Sequence, residues 1–346
     1  MPAASDIRAR LLHWYDANAR DLPWRVGPAD HAAGVRADPY RVWLSEVMLQ
    51  QTTVPHATPY FLAFTRRWPT VGDLAREADG EVMAAWAGLG YYARARNLLA
   101  CARAVAGDHG GVFPATEAGL LALPGVGAYT AAAVAAIAFD QPANVVDGNV
   151  ERVISRLYAV QTPLPAAKPA LKALAAGLVG PEQPGDWAQA LMDLGATICR
   201  PKAPLCDRCP LSNDCAALRQ GDPGGYPRKT AKAERPHRRG VAFLLLRGNE
   251  VGLVRRPDKG LLGGMLALPS GEWAAQSDGM KAAPAAADWR PAGQIEHVFT
   301  HFSLSLQVMR AEGAAPDLIW TPIDEAARSL PSVFLKALRQ GLNGLP

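Results

Sequence analysis

A glycine-containing turn between two apolar helical patterns constrains the fold of this chain more than any other feature. The turn occupies residues 123–131, with Gly125-Val126-Gly127 at its centre. An amphipathic run, 116–121, precedes it and an apolar run, 131–139, follows it, so the pattern predicts a helix, a tight hairpin and a second helix that begins at Gly127. The unpaired N–H groups of that helix start could bind phosphate oxygens. A packed hairpin that needs glycine only for its turn is the alternative.

An aspartate follows the hairpin within a segment that contains proline and glycine. Asp147 directly precedes a helical pattern in which Val150, Val153, Ile154 and Leu157 share one face. Aspartate is a common helix N-cap, and this structural role is the alternative to a role in chemistry. A hairpin followed by an aspartate at this spacing is more specific than either feature alone.

The composition indicates a globular protein that stays inside the cell. The chain has 346 residues, 49% hydrophobic and 20% charged, enough for two or three domains. A net charge of +4 only mildly favours a polyanionic partner. The N-terminus lacks an apolar signal segment, and no apolar run is long enough to cross a bilayer. Because four of the five cysteines are clustered, a secreted disulfide framework is disfavoured. We expect a cytoplasmic location and no contact with a membrane.

A glutamate lies in the apolar part of the next motif. Asp38 and Pro39 are typical of a helix start, and the pattern predicts a helix over 40–52. Within it Glu46 follows Trp43 and other apolar residues, so its carboxyl should be partly desolvated. Desolvation raises the pKa of a carboxyl and suits a general acid near neutral pH. The alternative is a glutamate on the wet face, paired with Arg41.

Two further segments combine aromatic and basic side chains. Residues 20–25 have two arginines that flank an apolar and aromatic segment, which could grip phosphates or a base, or form a solvated loop. Residues 88–97 have two tyrosines at a glycine turn, followed by two arginines, between two helices predicted in 71–106. Such a turn could wedge into a base stack, although a helix start with core tyrosines would look similar.

Four cysteines are packed into a short segment. They are Cys199, Cys206, Cys209 and Cys215, and only one C-x-x-C pair occurs among them. A zinc ribbon normally uses two separated pairs. The tight spacing favours one [4Fe–4S] cluster with a thiolate on each iron. Cys101 stands apart on a predicted helix and is expected to be a small core residue.

The pattern changes in the last third of the chain. Residues 219–239 hold seven Lys and Arg against two Asp and Glu, which predicts a basic linker that follows a nucleic-acid backbone or stays solvated. From 240 onward strand patterns predominate, with strands predicted at 241–246, 251–254 and 297–304 and a closing helix at 324–341. We therefore predict an all-α domain over 1–218 and an α/β domain over 240–346.

Taken together, these motifs resemble those of adenine DNA glycosylases of the MutY type, in the helix-hairpin-helix/Gly-Pro-Asp superfamily. The resemblance covers residues 7–215, and more weakly the rest, and is carried by the hairpin, the four cysteines and the segments 20–25, 45–52, 88–92 and 146–150. It implies an α+β multidomain enzyme: an all-α glycosylase core with a [4Fe–4S] loop and a C-terminal MutT-like (Nudix-like) domain. It also implies a monomeric bacterial enzyme of base excision repair that removes adenine mispaired with 8-oxoguanine or guanine in double-stranded DNA.

The resemblance also implies roles for individual residues. Glu46 would protonate adenine N7, and Asp147 would stay ionised and stabilise the cationic sugar. Tyr129 would lie beside both carboxyls, and Asn149 would position Asp147 or water. The positions that match contacts to the base or to DNA are Arg20, Leu22, Trp24, Arg25, Gln51, Thr52, Leu89, Tyr91, Gly125, Val126, Gly127 and Gln189. Of these, Arg25 and Gln189 would lie near the flipped adenine, and Gln51 and Tyr91 at the lesion pair.

The second domain resembles the MutT-like module of this family. Its segment 260–264 matches, but the Glu-rich metal-binding helix of nucleotide hydrolases does not follow Gly271-Glu272, so nucleotide hydrolysis is not expected. Phe299, Thr300 and His301 match the family's 8-oxoguanine recognition loop, usually Phe-Ser-His. Threonine keeps the hydroxyl and adds a methyl group.

The nearest alternative function is that of endonuclease III-type enzymes, which act on pyrimidine lesions and also cleave the strand. They share the hairpin, the aspartate and the cluster, but have a Schiff-base lysine where this chain has Tyr129. A non-catalytic DNA-binding module and an iron–sulfur electron carrier are further alternatives. The two carboxylates, Glu46 and Asp147, disfavour the module, and the hairpin disfavours the carrier.

Overall fold

The computed structural model describes residues 3–230, 235–257, 260–277, 279–299 and 301–343. Its internal contacts divide the chain into two compact units, Met1–Thr230 and Ala231–Pro346. The helices of the N-terminal unit are α1 (Ala4–Asn18), α2 (Pro28–Ala32), α3 (Pro39–Leu49), α4 (Val54–Arg67), α5 (Val71–Arg76), α6 (Asp79–Ala85), α7 (Ala93–Asp108), α8 (Glu117–Leu121), α9 (Ala128–Phe139), α10 (Gly148–Leu157), α11 (Lys168–Ala176), α12 (Pro184–Asp193) and α13 (Ala216–Arg219). The prediction of an all-α core is confirmed.

Helix α9 forms the centre of this unit. Its residues 130–136 are all buried, and α3, α8 and α12 pack against it. A helix that is apolar on every side is stable only where protein covers it on every side. Most of these buried residues are alanines, so the neighbouring helices can approach α9 closely. The second helix of the predicted hairpin is therefore the axis around which the other helices are arranged.

The two glycines of the hairpin differ in their conformation. Gly125 has a φ of +70°, and a Cβ added there would lie 2.5 Å from the Cβ of Asn97. Gly127 is the N-cap of α9 with an ordinary extended φ of −91°, and a Cβ there would meet no atom within 4 Å. The fold itself therefore requires glycine at 125, whereas at 127 the missing side chain leaves open space in front of the start of α9.

Helix α3 is shorter than its sequence pattern indicated. A helix was predicted over 40–52, but α3 ends at Leu49, and Gln51 has a φ of +60°. A residue in this left-handed region cannot continue a right-handed helix. Main-chain carbonyls at the end of α3 accept hydrogen bonds from Arg94. A contact between residues distant in sequence thus accompanies the end of the helix, and local patterning does not contain it.

Other helix boundaries also differ from the predicted ones. Residues 71–106 form α5, α6 and α7 instead of two helices, because Glu77 and Ala78 are extended and separate α5 from α6. Helix α12 begins at Pro184 and passes into a π-helical turn, Leu194–Ile198. The segment between residues 25 and 38 contains the short helix α2.

Much of the segment predicted as a linker belongs to structured elements. Residues 219–230 pack on the N-terminal unit, where Tyr226 is buried and accepts a hydrogen bond on its carbonyl from Arg156. Residues 237–239 are the beginning of a strand. The basic charge predicted for a linker therefore lies partly on the surfaces of structured units.

The C-terminal unit combines a mixed sheet with helices. Its elements are β1 (His237–Arg247), β2 (Glu250–Arg255), β3 (Leu266–Ala267), β4 (Arg290–Val298), β5 (Ser303–Glu312), β6 (Ile319–Pro322), α14 (Ile323–Ser329) and α15 (Ser332–Leu342). The strand order is β3-β2-β1-β5-β4, with β6 on β2; β1 and β5 are parallel and the other pairs antiparallel. Helix α15 packs against β1, β4 and β5, and Phe334 of α15 shares a core with Leu244 and Leu306.

Two predicted elements of this unit are each split in the structure. The strand predicted over 297–304 is a hairpin, because β4 ends at Val298 and β5 begins at Ser303. The Phe299 N–H donates to the Phe302 carbonyl across the turn. The closing helix is divided into α14 and α15 at Pro331, because proline disfavours the helical conformation of the residue before it. No helix among the described residues is long and apolar enough to span a membrane.

We expect Gly125→Ala to lower the free energy of unfolding of the N-terminal unit by about 1–3 kcal/mol, because alanine resists a positive φ and its Cβ would meet Asn97. Gly127→Ser, at the extended N-cap with open space around it, should change the free energy by less than about 0.5 kcal/mol. Urea unfolding followed by tryptophan fluorescence measures both values. Equal losses in the two variants would contradict this account of the hairpin.

Candidate active site

A cleft of about 670 Å³ lies in the N-terminal unit, where α3, α9, the start of α10 and α12 meet the segment 20–25. The predicted site residues that line it are Arg20, Leu22, Trp24, Arg25, Glu46, Gln51, Thr52, Tyr129, Asp147, Asn149 and Gln189. The lining residues that the sequence did not single out are Val42, Ser45, Leu49, Gln50, Thr53, Val54, Ile137, Gly148, Met192 and Ala196.

Glu46 is a buried acid. Only 7% of its surface is exposed, and its Oε2 accepts a 2.7 Å hydrogen bond from the Tyr129 hydroxyl. Burial raises the pKa of Glu46 to about 7; the hydrogen bond from Tyr129 lowers it, the charge of Asp147 raises it and that of Arg25 lowers it. Arg41 donates to the Pro23 carbonyl, and Glu46 lies on the cleft wall, away from the wet face. Near neutral pH such a carboxyl holds a proton that it can donate.

Tyr129 occupies the first turn of α9, between the two carboxyls of the cleft. Burial raises the pKa of Tyr129 well above its ordinary value, and the negative charges of Glu46 and Asp147 raise it further. The phenol therefore stays protonated, and its hydroxyl donates to Glu46. This bond fixes the position of one carboxyl oxygen.

Asp147 is the N-cap of α10, as the structural alternative predicted, and it also lines the cleft. Its Oδ1 accepts from the Val150 N–H at 2.7 Å, and its Oδ2 accepts from Asn149 Nδ2 at 2.8 Å. Two donors and the positive end of a helix stabilise a negative charge at this position. The capping role and a chemical role are therefore compatible in the same side chain.

Asn149 is itself held by Arg152. The guanidinium of Arg152 donates to Asn149 Oδ1 at 2.9 Å and to the carbonyls of Gly195 and Cys199 at 2.8 Å each. A Cβ added at Gly195 would lie 2.7 Å from the Cβ of Asn149, so only glycine fits beside Asn149. The π-helical turn that contains Gly195 thus fixes the amide that donates to Asp147.

Two arginines of the cleft lining donate hydrogen bonds to one buried aspartate. Asp193, fully buried on α12, accepts from the N–H and Nε of Arg20 at 3.0 and 2.6 Å and from Nη1 of Arg25 at 2.7 Å. Burial disfavours the charge of Arg25, but Asp193 raises its pKa above the ordinary value. Arg25 therefore remains a fixed cation close enough to lower the pKa of Glu46.

Gln189, on α12, presents an amide to the cleft. The residue is 4% exposed, and its Oε1 has no hydrogen-bond partner among the described residues. A buried acceptor without a partner is costly, so its presence in a cleft indicates a ligand or water that donates to it.

Of the remaining predicted DNA contacts, Leu89, Tyr91, Gly125, Val126 and Gly127 lie outside the cleft, whereas Gln51 is part of its lining. Gln51 and Tyr91 are exposed, and both have a positive φ, +60° and +50°. The side chains of Leu89 and Val126 are buried, so only their main-chain groups are available to a ligand.

In the C-terminal unit, Phe299 is half-buried and stacked on Phe302, and His301 is exposed. Both lie in the turn between β4 and β5. Thr300, predicted with them, lies outside the described residues.

The four clustered cysteines surround a small pocket of their own. Cys199, Cys206, Cys209 and Cys215 all line it, and none forms a disulfide. Buried Arg156 donates to Cys199 Sγ at 3.2 Å. No group of three or more His, Cys, Asp or Glu in the described part of the chain could hold a single metal ion. Four thiols around a common space, with a cation at one of them, are a donor set that suits an iron–sulfur cluster.

Sequence reasoning missed Asp193, Arg152 and Gly195. Asp193 is four positions after Gln189 on α12, and Arg152 is three after Asn149 on α10, so each shares a helix face with a predicted residue. That spacing is the only signal the sequence offers for Asp193 and Arg152. The need for glycine at 195 depends on the approach of a different helix.

Comparison with known proteins gives two family matches. The model of the HhH-GPD superfamily of base excision DNA repair proteins matches residues 44–176, and that of the NUDIX domain matches residues 241–340. The chain is 37% identical to human adenine DNA glycosylase over 90% of its own length and 68% of that protein. It is 35% identical to the mouse adenine DNA glycosylase, over 95% and 76% of the two chains. It is 42% identical to the adenine DNA glycosylase of Mycolicibacterium smegmatis, over 62% of this chain and 70% of that protein.

Solved structures resemble a part of the chain. A thermostable thymine-DNA glycosylase superposes with a TM-score of 0.55 and 32% identity, covering 63% of this chain and 97% of that one. An endonuclease III trapped as a covalent intermediate with DNA superposes with a TM-score of 0.51 and 23% identity, covering 64% of this chain and 99% of that one. The second match, at this identity, supports the fold alone. The predicted family and α+β fold class are confirmed.

We expect Glu46→Gln to stabilise the protein at pH 8 by about 1–3 kcal/mol, an upper range set by the shift in the Glu46 pKa. Because the pKa of Glu46 is raised in the folded state, the folded protein binds the proton more tightly. Stability therefore falls as pH rises from the unfolded pKa of Glu through about 7. At pH 4 the variant and the parent should differ little.

Urea unfolding at pH 4 and pH 8 measures this effect. Glu117→Gln, which changes an exposed carboxyl, is the matched control and should show no comparable pH dependence. The quantity compared is the difference in free energy of unfolding between Glu46→Gln and the parent. If this difference is the same at pH 4 and pH 8, the pKa of Glu46 is not raised.

Proposed function

The chain belongs to the adenine DNA glycosylase family, and we propose that it removes adenine mispaired with 8-oxoguanine or guanine from double-stranded DNA. It is a glycosylase of base excision repair, and the proposed reaction hydrolyses the N-glycosidic bond without cutting the strand. The observation that carries the proposal is the pair of unlike carboxyls in one cleft. Burial holds a proton on Glu46 near neutral pH, while two donors stabilise Asp147 as an anion. A single chain contains the cleft, so we propose that the enzyme acts as a monomer.

Glu46 acts as the general acid in the proposed mechanism. The glycosidic bond of adenine lies inside the duplex stack, so the nucleotide must first rotate out of the helix into the cleft. Adenine leaves poorly as an anion. Glu46 transfers its proton to adenine N7, and the bonding electrons between the sugar C1′ and adenine N9 move to the base. The hydrogen bond from Tyr129 holds the Glu46 carboxyl in one orientation during this transfer.

Asp147 stabilises the positive charge that bond cleavage leaves on the sugar. Its carboxylate forms a transient covalent adduct at C1′, which water then hydrolyses, as in the two-carboxylate chemistry of glycosidases. Asn149 donates to one oxygen of Asp147 and orients it. Glu46, now ionised, takes the proton from the attacking water and returns to its starting state.

Gln189 and Arg25 are the proposed contacts to the flipped adenine. The adenine amino group is a donor, and the Oε1 of Gln189 has no partner among the described residues. Arg25 is immobilised by Asp193 and presents its remaining donors toward the cleft. A base without an exocyclic donor at this position would leave the Gln189 oxygen unsatisfied, which favours adenine.

Strand cleavage of the endonuclease III type is disfavoured by the lining of the cleft. That chemistry needs a lysine amine as the nucleophile. Tyr129 stands at the corresponding position and donates to Glu46, and no lysine is among the residues that line the described cleft. Hydrolysis is therefore the reaction that these side chains favour.

We propose that the C-terminal unit recognises 8-oxoguanine through the turn between β4 and β5. Exposed His301 and half-buried Phe299 lie in this turn, and Phe299 stacks on Phe302 with ring centroids 4.7 Å apart. Trp273 packs beside Phe299, so the aromatic base of the turn is rigid. Thr300 belongs to the same proposed loop.

Cys199, Cys206, Cys209 and Cys215 are the proposed ligands of one [4Fe–4S] cluster. When bound, such a group would fix the fold of the loop 199–215; hydrolysis of adenine requires no electron transfer. Arg156 would balance the charge of the thiolates through its bond to Cys199. The same loop supplies the Cys199 carbonyl to Arg152.

In a single-turnover assay, the parent enzyme should release adenine placed opposite 8-oxoguanine or guanine and spare adenine opposite thymine. Glu46→Gln and Asp147→Asn should each slow release by about 10²–10⁴-fold, the usual contribution of one acid–base group. Treatment with heat and alkali cleaves the strand at the abasic site and so reveals base loss.

Glu117→Gln, an exposed control, should retain the parent rate. Strand cleavage without alkali would support the endonuclease III-type alternative, and binding of the duplex without base release would support a non-catalytic module.

We expect Cys209→Ser to lose the brown visible absorption and most of the bound iron, because one thiolate ligand is missing. Cys101→Ala, which changes the buried cysteine of α7, should keep both signals. Absorption spectra and metal analysis measure the outcome. A colourless parent protein with bound zinc would contradict the cluster assignment.

A further inference from the structure

Arg94 joins the end of α3 to the glycine turn at 88–91, the two segments that carry the predicted DNA contacts Gln51 and Tyr91. Its Nη1 donates to the carbonyls of Val47, Met48 and Gln50 at the end of α3. Its Nη2 donates to the carbonyls of Leu89 and Gly90 in the glycine turn, at 3.0 and 3.3 Å. One guanidinium therefore binds five main-chain oxygens from two separate segments.

The first segment needs this contact because α3 ends without a usual cap. The C-cap, Gln50, is extended and no capping bond from its N–H is found in the described structure. The Leu49 carbonyl accepts from the Thr52 N–H at 3.2 Å, and the carbonyls of Val47 and Met48 accept from Arg94. A cation at a helix C-terminus also interacts favourably with the helix dipole. The next residue, Gln51, has a φ of +60° and an exposed side chain. Arg94 thus stabilises the chain reversal that points Gln51 outward.

The second segment is a turn built from left-handed residues. Gly88, Gly90 and Tyr91 have φ values of +104°, +71° and +50°. Tyrosine rarely adopts such a conformation, and a non-glycine residue is kept in it only where its surroundings determine it. Nη2 of Arg94 holds the carbonyls just before Tyr91, and its guanidinium lies 5.6 Å from the Tyr91 ring centroid.

The guanidinium has no carboxylate partner in the described structure. It lies 5.3 Å from the Trp86 ring centroid, and Trp86 Nε1 donates to the Gly90 carbonyl that Arg94 also binds. Burial lowers the pKa of Arg94 from its ordinary value, although it remains a strong cation. Arg94 is half-buried, and its described partners are these five carbonyls and the two aromatic rings. Releasing either loop would therefore cost the guanidinium several of its hydrogen bonds.

We propose that Arg94 is a positioning residue that locks Gln51 and Tyr91 into one rigid wedge and aligns that wedge with Glu46. The proposal rests on the proposed function, because it assigns the wedge to the extrusion of adenine from the stack. Arg94 binds the carbonyl of Val47, the residue after Glu46. The position of the wedge is therefore fixed relative to that of the Glu46 backbone. Without Arg94 the acid and the cleft persist, but extrusion becomes less favourable.

The test compares a paired with an unpaired adenine. Arg94→Met should slow single-turnover excision from the adenine–8-oxoguanine duplex by about 10–100-fold, the usual effect of small misplacements. Excision of an adenine placed opposite an abasic site, which leaves no pairing to break, should slow by less than about threefold. Arg94→Lys, which keeps the charge but lacks the planar fork of donors, should fall between.

A fluorescent readout separates extrusion from chemistry. The DNA duplex carries 2-aminopurine next to the target adenine, and both proteins carry Glu46→Gln to prevent excision. Binding of the protein with Arg94 intact should raise the 2-aminopurine fluorescence, because the base becomes unstacked. The Arg94→Met background should give a smaller rise at saturating protein. Arg103→Met is the control, because Arg103 of α7 also binds carbonyls, those of Ala75 and Glu77, and pairs with Asp79, outside the residues that line the cleft.

The outcomes are distinguishable. Equal slowing on the paired and unpaired substrates, or an undiminished fluorescence rise, would overturn the wedge role. If the parent releases no adenine from either duplex, the proposed function itself fails. If Arg94→Met does not fold, the comparison is made with Arg94→Lys, whose paired-to-unpaired rate ratio must fall for the proposal to stand.

Discussion

The hydrogen bond from Tyr129 on α9 to Glu46 on α3 is the contact on which the rest of the site depends. A carboxyl buried in an apolar helix face is costly as an anion, and one donor moderates that cost without abolishing it. The pKa of Glu46 is left at about 7, where the proton is both present and transferable. Asp147 has the opposite environment, with two donors at a helix start. The same functional group thus meets two different environments, one that disfavours charge by burial and one that supplies hydrogen-bond donors.

The scaffold brings these environments together by burying residues 130–136 of the apolar helix α9. Because α9 is covered on all sides, α3 and α12 are packed against it and their inward-facing polar residues meet at one cleft. Charged residues on those faces are tolerated because they are paired. Asp193 carries two arginines, and Arg152 binds Asn149 and two carbonyls. Such fully bonded buried networks are rigid, which is what a site that must hold a nucleotide between two carboxyls requires.

Most of the cleft was predictable, because its residues occur in short motifs with distinctive composition. Glu46, Tyr129, Asp147 and Asn149 stand out from the sequence, and the structure brings them to one cleft. Element boundaries were less predictable, since they depend on contacts between distant residues. The pattern of α3 continues to residue 52, yet the helix ends at Leu49, where Arg94 binds its carbonyls. The strand predicted over 297–304 is a hairpin, because two phenylalanines stack across a turn that resembles a strand in composition.

The sequence by itself determined the family and the fold class, and it predicted the candidate site residues, because periodicity, glycine placement and motif residues are local properties of the chain. Only the tertiary structure decided how those groups behave. The raised pKa of Glu46, the clamp of Asp193 on Arg25 and the need for glycine at 195 each arise where side chains from different helices meet. Desolvation and hydrogen bonding act between neighbours in space, and the sequence gives neighbours only along the chain.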